Sequence, residues 1–555
     1  MLSSVFAEAP PQPQDLPPDL MCLLLSSIIN LIRLVFDIPY LLQANMFTEE
    51  ETLKLIENSK KLAFDKLKNN EYKFVKTICN QLLKVSLDDT DAYQFLGICE
   101  FREGNFEEAK AHFSKILKIK KDEKDVENIN NIALCYGNLG DHKTAIKYLE
   151  KCRKNVQNNE HLDSNLLMQY RFAGKTKKAI KLLNDKIEKD PNNVKDLAFL
   201  GGCYAEAINY KKACKYLNRA LEIDPDFDFA KIDLASIYQF LNQSEKAWPL
   251  YEARFKVYDQ CKYWKGLFDE KKEWNGTDDL SGKRIILHSE QGSGDIIHFV
   301  RYVKMIRSMG AIVVLHCWDS MKDLLSHLAD ELYLTEPVMR LPLIHGNLTL
   351  PEYDYFAAIM SLPYLLKTKE IPNPPYIFAN KKLDFSSYSE FFKIGICWAG
   401  TPAHPNDFHR SVKLELFRDI SNLPSVKLFS LTKDTRPRKH KFQKKEVDLA
   451  ENAQDMSIVD MAEFMNSYDD TASIISEMDL IIAVDTSVLH IAGALNHQTL
   501  AIIPQNPDWR WGNEGDKSKW YPSIKMFRKK NKNSWEKTFN DIKEEVIKRM
   551  GEKLN

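Results

Sequence analysis

Small residues recur along this chain at a fixed step. Ala145, Ala179, Ala213 and Ala247 stand 34 residues apart, and Ala109 lies 36 before the first of them. A large residue follows each by four, at Phe113, Leu149, Leu183, Leu217 and Tyr251. Tyr136, Tyr170, Tyr204 and Tyr238 keep the same step, Gly97 and Gly201 fill a second small position, and Pro191 and Pro225 close two of the units. A period of this length holds one pair of helices. The small side chain lets the two approach, and the large one fills the gap beside the next pair. A pair cannot bury its apolar face alone, so the pattern dictates a stack.

The period and its residues resemble the tetratricopeptide repeat, in five units over about residues 90–261 with a degenerate sixth over about 56–89. The resemblance implies an α-solenoid with a concave groove that holds a peptide or another protein. An array that only scaffolds or dimerises the chain is the alternative.

At 555 residues the chain exceeds what one core serves, so several folding units are expected. Lys and Arg number 77 against 78 Asp and Glu, a balance that argues against a dedicated nucleic-acid binder. Ten cysteines lack any CxxC pair, and Cys99, Cys135, Cys203 and Cys214 fall in the repeats as small apolar residues. That usage points to a reduced, cytoplasmic protein without a disulfide framework or zinc site. The first 45 residues differ from the rest, with no lysine before Lys54. Met21–Leu42 is apolar but carries Arg33, Asp37 and Pro39 and lacks a basic flank, so neither a signal peptide nor a stable membrane span is expected. Two readings stand: a packing or interfacial helix behind a disordered Pro-rich leader, and a translation start at Met46.

The expected organisation is an atypical leader at 1–45, a repeat array at 46–261, a connector at 262–282, and two α/β halves at 283–385 and 386–555. Trp264, Phe268 and Trp274 are available to dock array and sheet. Strand-like runs at Arg284–His288, Ala311–Cys317, Lys393–Trp398, Val426–Leu431, Leu480–Val484 and Thr499–Ile503 alternate with helical ones, which predicts doubly wound parallel sheets in two Rossmann-like halves. Trp535–Met550 reads as a closing helix.

The chemistry concentrates at strand-to-helix turns. Gly292-Ser293-Gly294 separates an apolar strand from a helix opened by Asp295, and Asp485-Thr486-Ser487 follows another, with His490 five residues after Asp485. Amides at such turns suit an anion, and the crevice beyond strand ends is where ligands bind in open α/β sheets. The bland reading of either turn is a capped helix. Arg436–Lys445 and Arg528–Lys532 are basic runs, read as solvated loops unless they attract an anionic donor or acidic partner. No GxxxxGK[ST], HExxH or GxSxG occurs.

Glu290–Asp295 (EQGSGD), Trp398-Ala399-Gly400, Asp479–Leu495, Pro507–Trp511 (PDWRW) and Trp520-Tyr521-Pro522 together resemble bacterial heptosyltransferase-like glycosyltransferases of the GT-B fold. The form carrying an N-terminal tetratricopeptide array is similar in layout to flagellin glycosyltransferases. The resemblance implies an inverting, metal-independent enzyme without a resident cofactor, a nucleotide-sugar donor and a protein hydroxyl as acceptor. It assigns Asp295 as general base; Glu290, His298, which reads first as a packing residue, and His404 are alternates from the residues themselves. Gly292, Gly294, Gly400, Thr401, Arg410, Asp485, Thr486, Ser487, His490, Asp508 and Arg510 are the donor-side candidates. Ser487 departs from the glycine frequent in simple heptosyltransferases. The adjacent pairs Asp278-Asp279 and Asp469-Asp470 are read as loop and cap residues. A glycan or lipid acceptor, and a non-catalytic adaptor with a degenerate transferase domain, are the alternatives.

Overall fold

The computed structural model describes residues 48–122, 125–156, 159–335, 349–401, 407–433, 438–439, 446–447, 455–530 and 534–554. The leader, His404 and most of the run Arg436–Lys445 lie outside the described residues.

Helices come first and come in successive pairs: α1 (Glu49–Lys68), α2 (Tyr72–Val85), α3 (Thr90–Glu103), α4 (Phe106–Lys120), α5 (Val126–Asn138), α6 (His142–Asn155) and α7 (Glu160–Phe172), then α8 (Thr176–Lys189), α9 (Val194–Glu206), α10 (Tyr210–Ile223), α11 (Asp228–Phe240) and α12 (Ser244–Tyr251). Their starts carry the caps that helix termini require. Thr48 and Glu51 form a capping box, and the side chains of Asp89, Asp125, Asn159 and Asn193 each accept an amide of the first turn. Gly104 ends α3 at φ 86°, a backbone that suits glycine.

The residues of the sequence period are the packing contacts. Ala109, Ala145, Ala179, Ala213 and Ala247 are all fully buried. A Cβ on Gly97 would stand 2.5 Å from Cε1 of Phe113, and one on Gly201 would stand 2.6 Å from Cγ of Leu217. A hydrogen at these positions is what lets paired helices close on the large residue opposite.

The chain divides into two compact units, one ending at Lys175 and the next beginning at Thr176. The first holds α1–α7. The second holds the remaining helices and both sheets, with the short α13 (Arg254–Val257) and α14 (Asp259–Lys265) leading into the α/β region. The connector aromatics dock as the sequence suggests. Phe268 stacks on Phe356 at 4.6 Å, Trp264 lies 4.3 Å from the His316 ring, and Trp274 donates its backbone N–H to Phe356 O at 2.9 Å.

The first sheet contains β1 (Arg284–His288), β2 (Ile312–Trp318), β3 (Glu331–Thr335) and β4 (Tyr355–Ala358), parallel and ordered β3-β2-β1-β4. The second contains β5 (Phe392–Cys397), β6 (Val426–Ser430), β9 (Val459–Asp460), β10 (Leu480–Val484), β11 (Thr499–Ile503) and β12 (Ile524–Arg528). It runs β12-β11-β10-β5-β6-β9, all parallel, with β7 (Arg438–Lys439) and β8 (Glu446–Val447) as a separate antiparallel pair. Numbered within the sheet, this is the doubly wound order 3-2-1-4-5-6. Strands β10 and β11 are buried along their whole length, as parallel strands covered on both faces must be.

Four longer helices matter below: α15 (Ser293–Phe299) after β1, α16 (Tyr468–Ser476), α17 (Ser487–Ala494) after β10, and the closing α18 (Glu536–Leu554). One cluster of buried side chains includes Ile285 and Val313 of the first sheet, Ile481 and Ala501 of the second, and Trp248 of α12. Trp248 meets Phe299 at 6.0 Å and Trp509 at 5.7 Å, both edge-on. Among the described residues, no helix is long and apolar enough to cross a membrane.

Candidate functional site

In the second sheet the strand order reverses between β5 and β10, so their outgoing connections part and leave a crevice at their carboxyl ends. Strand β5 runs out into Trp398-Ala399-Gly400-Thr401, and β10 into Asp485-Thr486-Ser487. These are two of the turns singled out by sequence.

Their contents interlock. The Arg410 guanidinium lies against Gly400, where a Cβ would stand 2.4 Å from Nη2. Its Nη1 donates to Asp485 O at 2.8 Å, and Nε stands 3.5 Å from Asp407 Oδ1. A glycine at 400 is therefore what admits a positive charge beside the switch point. Thr486 is the N-cap of α17, its hydroxyl donating to Val484 O at 3.3 Å, so the first amides of this eight-residue helix open beside Asp485. Burial and the nearby Asp508 push the Asp485 carboxyl up to about 6 against the pull of Arg410. Thr401 is exposed at the mouth.

The first half supplies the other wall. Asp295 sits in the first turn of α15, where its Oδ2 accepts from the Gly292 N–H at 3.0 Å and its Oδ1 is held by Arg510 Nη2. Arg510 in turn donates through Nη1 to Asp508 Oδ1 at 2.8 Å and lies 4.4 Å over the Trp509 ring. Burial raises Asp295 above the usual carboxylate range, with Arg510 opposing. A Cβ on Gly294 would meet His490 Cδ2, and the Tyr468 hydroxyl of α16 lies beside both Ser293 and Ser487. The two turns therefore face each other directly. The cap role of Asp295 is present, one oxygen accepting from the turn amide while the other is held by Arg510.

Two alternates have other partners. Glu290 is fully buried, with Arg254 Nε at 3.1 Å from Oε2 and Nη2 at 2.8 Å from Oε1. A carboxylate with both oxygens held by a guanidinium is a poor base, so the structure gives Glu290 a structural part instead. Arg254 also reaches Ser361 Oγ at 2.7 Å, beyond β4, and so fills the switch point of the first sheet. His298 is buried and bonds through Nδ1 to Tyr521 Oη at 2.9 Å; burial and Arg301 hold it neutral, which fits its reading as a packing residue. Asp470 completes a capping box with Ser467, and Asp279 accepts from Ser281 N–H at 2.9 Å, as cap and loop residues do.

Sequence reasoning missed Arg254, Tyr468 and Arg301. Arg301 donates to His298 O, Trp520 O and Tyr376 Oη. Nothing in the local pattern around these three residues marks them, since the partners that tie them to the site, such as Glu290 for Arg254 and Trp520 for Arg301, lie tens of residues or more away.

Residues 197–227 match the tetratricopeptide repeat, and residues 98–182 match a domain of unknown function, DUF6340. Protein FlbA of Caulobacter vibrioides is 23% identical over 335 residues, covering 56% of this chain and 53% of FlbA. The chain thus spans about half the length of the curated relative it matches. Among solved structures it is similar to YrrB, described as a TPR protein with an unusual peptide-binding site, at 22% identity over 31% of this chain and 88% of YrrB with a TM-score of 0.28. It is also similar to a tetratricopeptide repeat protein of Parabacteroides merdae, at 12% identity over 45% of this chain and 96% of that one with a TM-score of 0.34. The chain carries tetratricopeptide repeats, a class of protein-interaction element, ahead of an α/β region with parallel sheets.

Proposed function

We propose that this chain is a glycosyltransferase of the GT-B kind, moving a sugar from a nucleotide-activated donor to a hydroxyl of a protein held by the repeats. The observation that carries the reading is the meeting of two strand-to-helix turns from two parallel sheets, one bearing Asp295 and the other Asp485, Thr486 and the Arg410 guanidinium. The phosphate of the donor lies at the start of α17, where amides and Arg410 offset its charge. The acceptor oxygen attacks the anomeric carbon, the bond from that carbon to the phosphate oxygen breaks with its electron pair leaving on the phosphate, and Asp295 takes the hydroxyl proton. A carboxyl held above its usual range is better matched to that proton transfer near neutrality. The charge of the leaving group is met by Arg410 and helix amides, so the reading calls for no resident metal or cofactor. A protein acceptor follows from the repeats, which are interaction elements fused to the same chain.

The test is a thermal-shift panel of ADP-, GDP-, UDP- and CMP-linked sugars on the wild type and on Arg410→Ala. A ligand at ~100 times its Kd contributes about 2.7 kcal/mol. A shift with one nucleotide class, lost in Arg410→Ala, is the expected result. Absence of any shift turns the reading toward a repeat adaptor with a degenerate transferase domain.

A further inference from the structure

We infer that Tyr521 is a positioning residue that fixes His490 as its Nε2–H tautomer, aiming that N–H at Asp485 and the crevice beyond β5 and β10. The Tyr521 hydroxyl is fully buried and stands 2.9 Å from Nδ1 of His490 and 2.9 Å from Nδ1 of His298. The Tyr376 hydroxyl lies beside it. Two imidazoles therefore converge on an oxygen that has one proton to give and two lone pairs to offer.

The proton count has one arrangement that satisfies every group. Tyr521 has one proton to give and two imidazoles bonded to it, both neutral because burial and the arginines around them disfavour a charged ring. Nε2 of His298 is buried without a hydrogen-bond partner among the described residues. A buried N–H left unmade is rarer than an idle acceptor, so His298 carries its proton on Nδ1 and gives it to Tyr521. Tyr521 then donates to His490 Nδ1, and the His490 proton sits on Nε2.

The other end of His490 agrees. Its Nε2 stands 3.9 Å from Asp485 Oδ1, where an N–H is attracted and a lone pair repelled. That distance is too long for a direct bond, so the N–H remains available to an oxygen in the crevice. The ring cannot swing away, since Gly294 meets one edge and Trp511 lies 5.4 Å from it. Under the reading above, that oxygen belongs to the donor, and only this last assignment rests on it.

The experiment needs no ligand. Protein labelled with nitrogen-15 histidine is examined by two-bond proton–nitrogen correlation, with His490 identified by its loss in His490→Gln and His298 by its loss in His298→Asn. The expected spectrum shows His490 as Nε2–H and His298 as Nδ1–H. In Tyr521→Phe the single Nε2–H pattern of His490 is lost, whereas His298→Asn, which keeps an N–H donor near the Nδ1 position, retains it. A wild-type His490 protonated on Nδ1 overturns the inference, as does an unchanged His490 pattern in Tyr521→Phe. Should Tyr521→Phe fail to fold, the wild-type spectrum alone decides. Failure of every donor to bind would leave this result standing, so the two readings fail separately.

Discussion

Gly294 and His490 touch with nothing between them: a Cβ at 294 would stand 2.8 Å from Cδ2 of the imidazole. One residue belongs to the helix after β1 and the other to the helix after β10, so only a hydrogen at 294 fits between the two helices there. Gly294→Ala forces the buried ring or the turn to move. We expect a loss of about 1–3 kcal/mol in stability, the usual cost of overpacking, read by chemical denaturation. An unchanged midpoint would show that the ring gives way freely.

Arg254 and Glu290 form a fully buried ion pair between α13 and the end of β1. Removing one partner strands the other charge away from water. Arg254→Met is expected to cost about 3–5 kcal/mol, and adding Glu290→Met to recover a large part of it. The two thermal midpoints, compared with that of Glu290→Met alone, check this.

Asp295→Asn keeps an oxygen to accept from the Gly292 amide but removes the proton acceptor and weakens the hold on Arg510, which retains Asp508. The expected outcome is a fall of about 10²–10⁴ in sugar-transfer rate with donor affinity within a few-fold of wild type. Single-turnover transfer and donor titration on the same preparation separate the two.

The Asp485 carboxyl is raised in the fold from an ordinary 3.8 to about 6. The folded state therefore holds this proton more tightly than the unfolded one. The stabilisation is fully present below the unfolded value and is lost as pH rises through about 6. Asp485→Asn, which imitates the protonated form, is expected to match wild type near pH 3 and to become the more stable as pH passes about 6. Melting temperatures of the pair across that range give the test, and parallel curves would remove the assignment.

Much of this was legible in the chain. The repeat spacing identified the helix pairs because each recurring alanine and large residue is itself a packing contact, as Gly97 against Phe113 shows. The six strand-like runs all became strands, within one residue at each end. Strands β3 and β12 were missed because Glu331–Thr335 and Ile524–Arg528 lie at sheet edges and mix charged with apolar residues. Strand β4, Tyr355–Ala358, is only four residues long. The turns at Gly400, Asp485 and Asp295 could be found because glycine and capping residues mark them locally. Glu290 could not be separated from Asp295 by sequence, since its partner Arg254 lies 36 residues away. Tyr521 stood within a quoted motif, yet its bridge to His298 spans 223 residues and leaves no local trace.

Trp248 belongs by sequence to the last repeat and by packing to the α/β core, with Phe299 and Trp509 against it. The end of the array is thereby committed to the sheets that follow it. A change at Trp248 therefore reaches Phe299 after β1 and Trp509 of the second half at once.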